Sequence, residues 1–197
     1  MTAMNSRDVY FRALYEVAET VTSTLSLSEV LQNTARSTAK AMNAKACSVR
    51  LWDRPKGTLD LGASYGLSRE YIEKGPVEVE KSGIDKEALQ GHTVAIRNVM
   101  QSGRFQYPQE AANEGIVSVL AAPLMVRGTV IGVIRVYSDK ERDYNFDEID
   151  FLTAIAHISA LAIHNAKTYE ALQEELKEVR HDKIPWAENF DKPLWRD

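Results

Sequence analysis

The amino-acid sequence predicts an α+β domain: a central antiparallel sheet with two amino-terminal helices and one long carboxy-terminal helix on one face, and short helices and loops on the other. Three observations carry this. Apolar residues recur at the helical period over roughly the first forty residues, at a period of two in later stretches, and at the helical period again from residue 145 onward. Turn residues at Asp53-Arg54-Pro55-Lys56-Gly57 and at Arg127-Gly128 separate alternating stretches closely enough for hairpins. The length of 197 residues, 44% hydrophobic and 26% charged, suits one core of ordinary size with extensions.

Residues 7–25 form the first expected helix, because Tyr10, Leu14, Val17 and Val21 share a stripe flanked by Phe11, Ala18 and Leu25. Ser28 is the expected N-cap of a second helix over 29–43, with Val30, Leu31, Thr34, Ala35, Thr38 and Ala41 inward. In strand 46–53, Cys47, Val49 and Leu51 point to the helices, and Ser48, Arg50 and Trp52 to the other face. Strand 58–65 returns as a hairpin. Residues 66–115 are irregular, with short helices expected at 68–74, 85–90 and 108–114 and a strand at 93–99. Ligand-binding loops usually lie in such a segment. Two strong strands follow, 117–126 and 129–138.

The last helix opens at Asn145, with Glu148 placed three residues on for a capping box. Its first part is apolar nearly all round. Farther on, Ile155, Ala162, Tyr169 and Leu176 repeat every seven residues, with Ile158, Asn165, Leu172 and Val179 three residues after each. That is a coiled-coil seam, and it predicts a homodimer, with Asn165 fixing the register. The expected division is an extension over 1–8, a domain over 9–168, a coiled coil over 169–180 and a tail over 181–197. Pro185 and Pro193 stop the helix in that tail, which also carries Trp186, Phe190 and Trp195.

A net charge of −4 argues against nucleic-acid binding through phosphate neutralisation. One cysteine excludes an internal disulfide framework. The longest apolar stretches, about ten residues, fall well short of the roughly 20 that span a bilayer. With no cationic-then-apolar leader, the expectation is a cytoplasmic protein without membrane insertion.

The element order and two segments resemble the GAF domain family, whose sheet is PAS-like. Ser118-Val119-Leu120-Ala121-Ala122-Pro123-Leu124 followed by Arg127-Gly128-Thr129-Val130-Ile131-Gly132-Val133-Ile134 is similar to the family's double strand. Phe146-Asp147-Glu148-Ile149-Asp150-Phe151-Leu152, with Ile155-Ala156 and Ala162-Ile163-His164-Asn165-Ala166, is similar to its exit helix. The likeness runs from about Val9 to Tyr169. It implies neighbouring first and last strands, so that Arg50 and Arg135 share the loop-covered face. Together with Trp52 and Tyr137, and with Arg97 and Ser118 as further members, they would suit a small anion or a planar carboxylate. Salt bridging of the arginines to Asp53, Asp60 or Glu80 is the competing reading.

Bilin attachment, cyclic-nucleotide binding and free methionine sulfoxide reduction are known on this fold. Cys47 lies on the inward face, the Asn-Lys pair of cyclic-nucleotide binders is absent, and one thiol cannot resolve a sulfenic acid. The scattered histidines lack ligand spacing. The resemblance therefore implies a sensory module, not an enzyme, that binds an unidentified small molecule and addresses a separate output protein. No cofactor is named. A degenerate domain serving only dimerisation is the alternative, and a GAF-fold enzyme a remoter one.

Overall fold

The structure is a computed structural model that describes residues 6–183. Two helices, α1 (Ser6–Ser23) and α2 (Leu27–Ala41), lead into the hairpin β1 (Ala46–Asp53) and β2 (Thr58–Tyr65). The middle segment holds α3 (Arg69–Ile72), β3 (Val77–Glu78), a 3₁₀ turn (Val79–Lys81), α4 (Gly83–Ala88), β4 (Val94–Ile96), α5 (Val99–Ser102) and α6 (Pro108–Asn113). Strands β5 (Ser118–Val126) and β6 (Thr129–Ser138) precede α7 (Phe146–Lys183).

The strands form one antiparallel sheet in the order β3-β2-β1-β6-β5-β4. One face packs on α1, α2 and α7 through Val49, Leu120, Ile134, Val136, Leu152 and Ile155. The other is covered by the middle segment through Leu59, Tyr71, Ile84, Phe105, Val133 and Tyr137. Two apolar layers thus sandwich the sheet, the arrangement expected of an α+β domain.

A bulge divides β2 between these layers. Val49 pairs with Ala63 but Arg50 pairs with Leu61, which leaves Gly62 over. An extra residue reverses the alternation beyond it. Ala63 therefore stays in the helical layer while Leu59, an even number of residues away, enters the loop-side layer.

Helix α2 begins two residues earlier than Ser28 would place it. Ser26 is the N-cap, accepting from the Glu29 amide at 3.4 Å, and this keeps Leu27 within the helix where it packs on the core. The capping box of α7 forms as expected: the Asn145 amide donates to Glu148 at 2.9 Å and the Glu148 amide to Asn145 at 3.0 Å. Arg142 adds an ion pair to Glu148 and donates to the Met42 carbonyl at 3.2 Å, tying α7 to the end of α2. Helix α7 runs to Lys183, three residues into the segment read as a tail; the rest of that segment lies outside the described residues. Among the described residues, no helix is long and apolar enough to cross a membrane.

Candidate functional site

Alternation places Ser48, Arg50 and Trp52 of β1 and Val133, Arg135 and Tyr137 of β6 on the loop-covered face. Ser48 pairs with Arg135 and Arg50 with Val133, so the two arginines are diagonal neighbours. Both are 3% exposed. Their surroundings differ sharply.

Arg135 is fully partnered. Its Nε donates to Asp85 Oδ1 at 2.9 Å, its Nη2 pairs with Oδ2, and its guanidinium lies 5.5 Å from the Phe105 ring centre. Asp85 comes from α4, which Ile84 and Ala88 anchor in the loop-side layer, and it is wholly buried. This is the two-pronged geometry that guanidinium and carboxylate favour.

Among the described residues, Arg50 has no carboxylate partner. One Nη1 hydrogen bond reaches the Leu59 carbonyl at 3.0 Å, and Nε is buried with none. Burial, foremost, lowers its pKa; Tyr137 opposes that shift and Arg135 adds to it. A buried cation without a counter-charge is costly to hold.

Tyr137 shares a 2.9 Å hydrogen bond with Ser48 and meets Tyr71 edge-on, centroids 6.3 Å apart. The Tyr71 hydroxyl is buried without a partner among the described residues, and burial pushes its pKa up, so it stays neutral. Over its ring sits Lys74. The ammonium is 3.7 Å from the Tyr71 ring centre and 5.7 Å from that of Tyr107, and it donates to the Tyr71 carbonyl at 2.9 Å. Burial, then the charges of Arg50 and Arg135, bring its pKa down to about 7, against the pull of Glu110 and Glu114.

Helix α3 holds Tyr71 in place. Ser68 caps it by accepting from the Tyr71 amide at 3.1 Å, while its own amide donates to Glu114 at 3.0 Å. Tyr107 fastens the following loop by donating to the Pro76 carbonyl at 2.9 Å. A pocket of about 360 Å³ lined by Lys45, Ser68, Glu70, Tyr71, Glu110, Asn113 and Glu114 opens beside this helix.

Of the residues expected at a ligand site, Arg50, Trp52, Arg135 and Tyr137 share this face. Trp52 is partly buried under the Arg54 guanidinium at 4.6 Å, and its Nε1 has no partner among the described residues. Two others lie apart. Arg97 is exposed beyond the end of β4, 3.3 Å from Glu141 and 3.6 Å from Asp143, because β5 separates β4 from β6. Ser118 starts β5 on the helical side of the sheet and donates to the Lys140 carbonyl at 2.9 Å. The expected ion partners Asp53, Asp60 and Glu80 are also engaged elsewhere, with Lys56, Thr58 and Lys86. Asp85 takes their place. Tyr71, Lys74 and Asp85 escaped the sequence reading because alternation identifies strand faces and is silent about loop residues that fold over them. The only available signal was Asp85 beside Ile84 in an inward-facing turn.

The seam of α7 divides in the same way. Ile155 and Ala162 are 0% and 3% exposed within their own subunit and Ile158 is half-buried, so the first part of the seam belongs to the core. Asn165 is exposed, as are Tyr169, Leu172, Leu176 and Val179. A heptad repeat records that a stripe is buried and not which surface buries it. Here α1, α2 and the sheet cover its first half. Cys47 is wholly buried, and burial raises its thiol pKa. Among the described residues, no group of three His, Cys, Asp or Glu side chains is placed to hold a metal ion.

A six-stranded antiparallel sheet, with helices on one face and a segment of short helices and loops covering the other, defines the class of α+β domain to which the chain belongs. The GAF domain family model matches residues 26–163, and the chain belongs to that family. It is 27% identical over 169 residues to the methyl sulfide methyltransferase-associated sensor of Methanosarcina acetivorans, covering 83% of this chain and 17% of that protein. It is 23% identical over 187 residues to the formate hydrogenlyase transcriptional activator of Salmonella typhimurium, covering 92% and 27%. The chain thus spans about a quarter or less of these relatives. Among solved structures, the GAF domain of an Acinetobacter phosphoenolpyruvate-protein phosphotransferase superposes with a TM-score of 0.70 at 25% identity, covering 84% of this chain and 97% of that one. A free methionine-R-sulfoxide reductase from Neisseria meningitidis superposes with a TM-score of 0.71 at 17% identity, covering 86% and 96%, a likeness of fold alone.

Proposed function

We propose that this GAF domain is a sensory or regulatory module that binds a small anion or carboxylate between the sheet and the α3–α6 segment and signals through a helical dimer. The observation that carries the reading is Arg50: a buried cation with a free Nε, no carboxylate, and the unpartnered Tyr71 hydroxyl in the same electrostatic neighbourhood. An anion there would supply the missing acceptors and counter-charge. Trp52 and Tyr137 would flank it, and Arg135, held by Asp85, would act as a fixed positive field.

The route outward is short. Strand β6 carries Arg135 and Tyr137 on one face, and Ile134 and Val136 on the other, against the layer to which α7 belongs. Beyond Ala166, α7 leaves the domain with Tyr169, Leu172, Leu176 and Val179 exposed, a stripe suited to the same helix of a second copy. A separate output protein would read that dimer. The relatives named as a sensor and a transcriptional activator support this class of role.

The reading does not include catalysis: Cys47 is sealed in the core with its thiol held protonated. One observation favours the alternative of a domain serving only assembly, namely that Asp85 already neutralises Arg135. Arg50→Met separates the two. Under the sensory reading, the wild-type protein binds carboxylates or oxoanions in calorimetry and Arg50→Met binds them at least tenfold more weakly. If the wild type binds none of them, the assembly reading stands in its place.

A further inference from the structure

The loop-side layer contains more positive charge than its own groups balance. Arg50 and Arg135 are buried, Lys74 is half-buried, and Asp85, the one carboxylate buried in this layer among the described residues, is fully used by Arg135. No carboxylate lies in ion-pair range of Lys74 among the described residues; its contacts are the Tyr71 carbonyl and the faces of Tyr71 and Tyr107. Arg50, and Lys74 whenever it is protonated, are thus the cations of this layer without a carboxylate in ion-pair range among the described residues; Glu110 and Glu114 act on Lys74 only from farther off.

The unsatisfied hydrogen-bonding groups point the same way. Arg50 Nε and Trp52 Nε1 are donors only, and the Tyr71 hydroxyl can donate. A lysine ammonium offers three donors, of which one is taken here. The side chains left unpaired on this face thus call for an acceptor, and none of them is a carboxylate or a side-chain carbonyl seeking a donor.

We infer that Lys74 and Arg50 together form a two-cation site, and that the ligand is a compact dianion rich in acceptors, either an oxoanion or a short dicarboxylate. This rests on the anion-binding reading above and narrows it from any small anion to a doubly charged one. Monoanions would leave one of the two cations uncompensated.

Lys74 also makes binding consume a proton. With its pKa brought down to about 7, the free site holds Lys74 partly as the amine near neutrality. The groups facing it are Arg50 and Arg135 from the sheet, Glu110 from α6, Glu114 just beyond that helix, and the Tyr71 and Tyr107 rings. A bound dianion adds negative charge to that set and favours the ammonium, so Nζ takes a proton from solvent as the ligand binds. Affinity for a ligand whose own charge does not titrate then falls as pH rises above about 7, on the order of tenfold by pH 8.5.

Calorimetry on the full chain with sulfate, malonate and acetate, at pH 7 and 8.5 and in two buffers of different ionisation enthalpy, tests this. The expected result is binding of sulfate or malonate at least tenfold tighter than acetate, with net proton uptake at pH 8 and weaker binding at pH 8.5. Which of the two dianions binds tighter identifies the oxoanion or dicarboxylate form. Lys74→Gln, checked for an unchanged melting temperature, is expected to abolish the preference over acetate and the proton uptake. Equal affinity for acetate and the dianions, or no proton uptake by the wild type, overturns the two-cation site and leaves the anion-sensing reading standing. No saturable binding of any of the three sinks both.

Discussion

Asp85 decides how the loop-side layer is held together. Among the described residues its carboxylate is the only counter-charge buried in the layer that holds the two buried guanidiniums, and α4 delivers it to Arg135. Asp85→Asn keeps the shape and removes the charge, leaving Arg135 buried and unpaired. The expected loss is about 3–5 kcal/mol in urea unfolding. Asp85→Leu combined with Arg135→Met removes both charges and is expected to recover most of that loss. Lys74 gives the same layer a pH dependence. Its pKa is about 7 in the folded chain, against about 10.4 for an unperturbed lysine, so the unfolded state binds more protons between those values. Stability of the wild type relative to Lys74→Gln should therefore rise with pH from about 7 to about 10, as read from urea midpoints. A flat difference would mean that Lys74 is solvated and outside the layer.

Among the elements, the β1–β6 pair sets the spacing of everything on the polar face. Gly132 of β6 faces Leu51, and a Cβ at Gly132 would overlap the Arg50 carbonyl oxygen. It is not among the positive-φ glycines, so the requirement is one of close approach and not of turn geometry. Gly132→Ala is expected to cost about 4 kcal/mol or more by thermal or urea unfolding, since two central strands must separate to admit a methyl group. The capping box of α7 is a smaller contribution: Asn145→Ala should cost about 1 kcal/mol. Between α2 and α7, Thr34 and Ser159 satisfy each other at 3.1 Å inside an otherwise apolar contact, and this keeps the two helices in one register.

For the whole molecule, α7 has two environments along its 38 residues. Up to Ala166 it is a core helix, and from residue 167 to residue 179 every side chain is exposed. An exposed leucine-bearing stripe on a helix that projects from its domain is poorly placed as a lone surface. Leu172→Lys with Leu176→Lys should convert a dimer to a monomer in sedimentation and leave the domain's own unfolding within about 0.5 kcal/mol of wild type, because neither residue touches the core. A wild-type chain that sediments as a monomer at high concentration would remove the helical relay.

Short-range signals in the sequence were sufficient for the fold. Alternation in 46–53 and 129–138, the turn at Arg127-Gly128 and the Asn145/Glu148 box each read out a local preference, and the helices and strands they imply are the ones found. Alternation gave Arg50 and Arg135 their strand faces, and only the family resemblance, by making those strands neighbours, made them legible as a pair. Tertiary structure alone decided which charges meet: Asp85 rather than Asp53, Asp60 or Glu80, with Lys74 and Tyr71 folded over the sheet, and with Arg97 and Ser118 left elsewhere. It also decided that Ile155 and Ala162 serve their own core. Periodicity specifies the face a residue occupies, but the identity of the group opposite depends on how the chain between distant segments closes, and no local pattern carries that information.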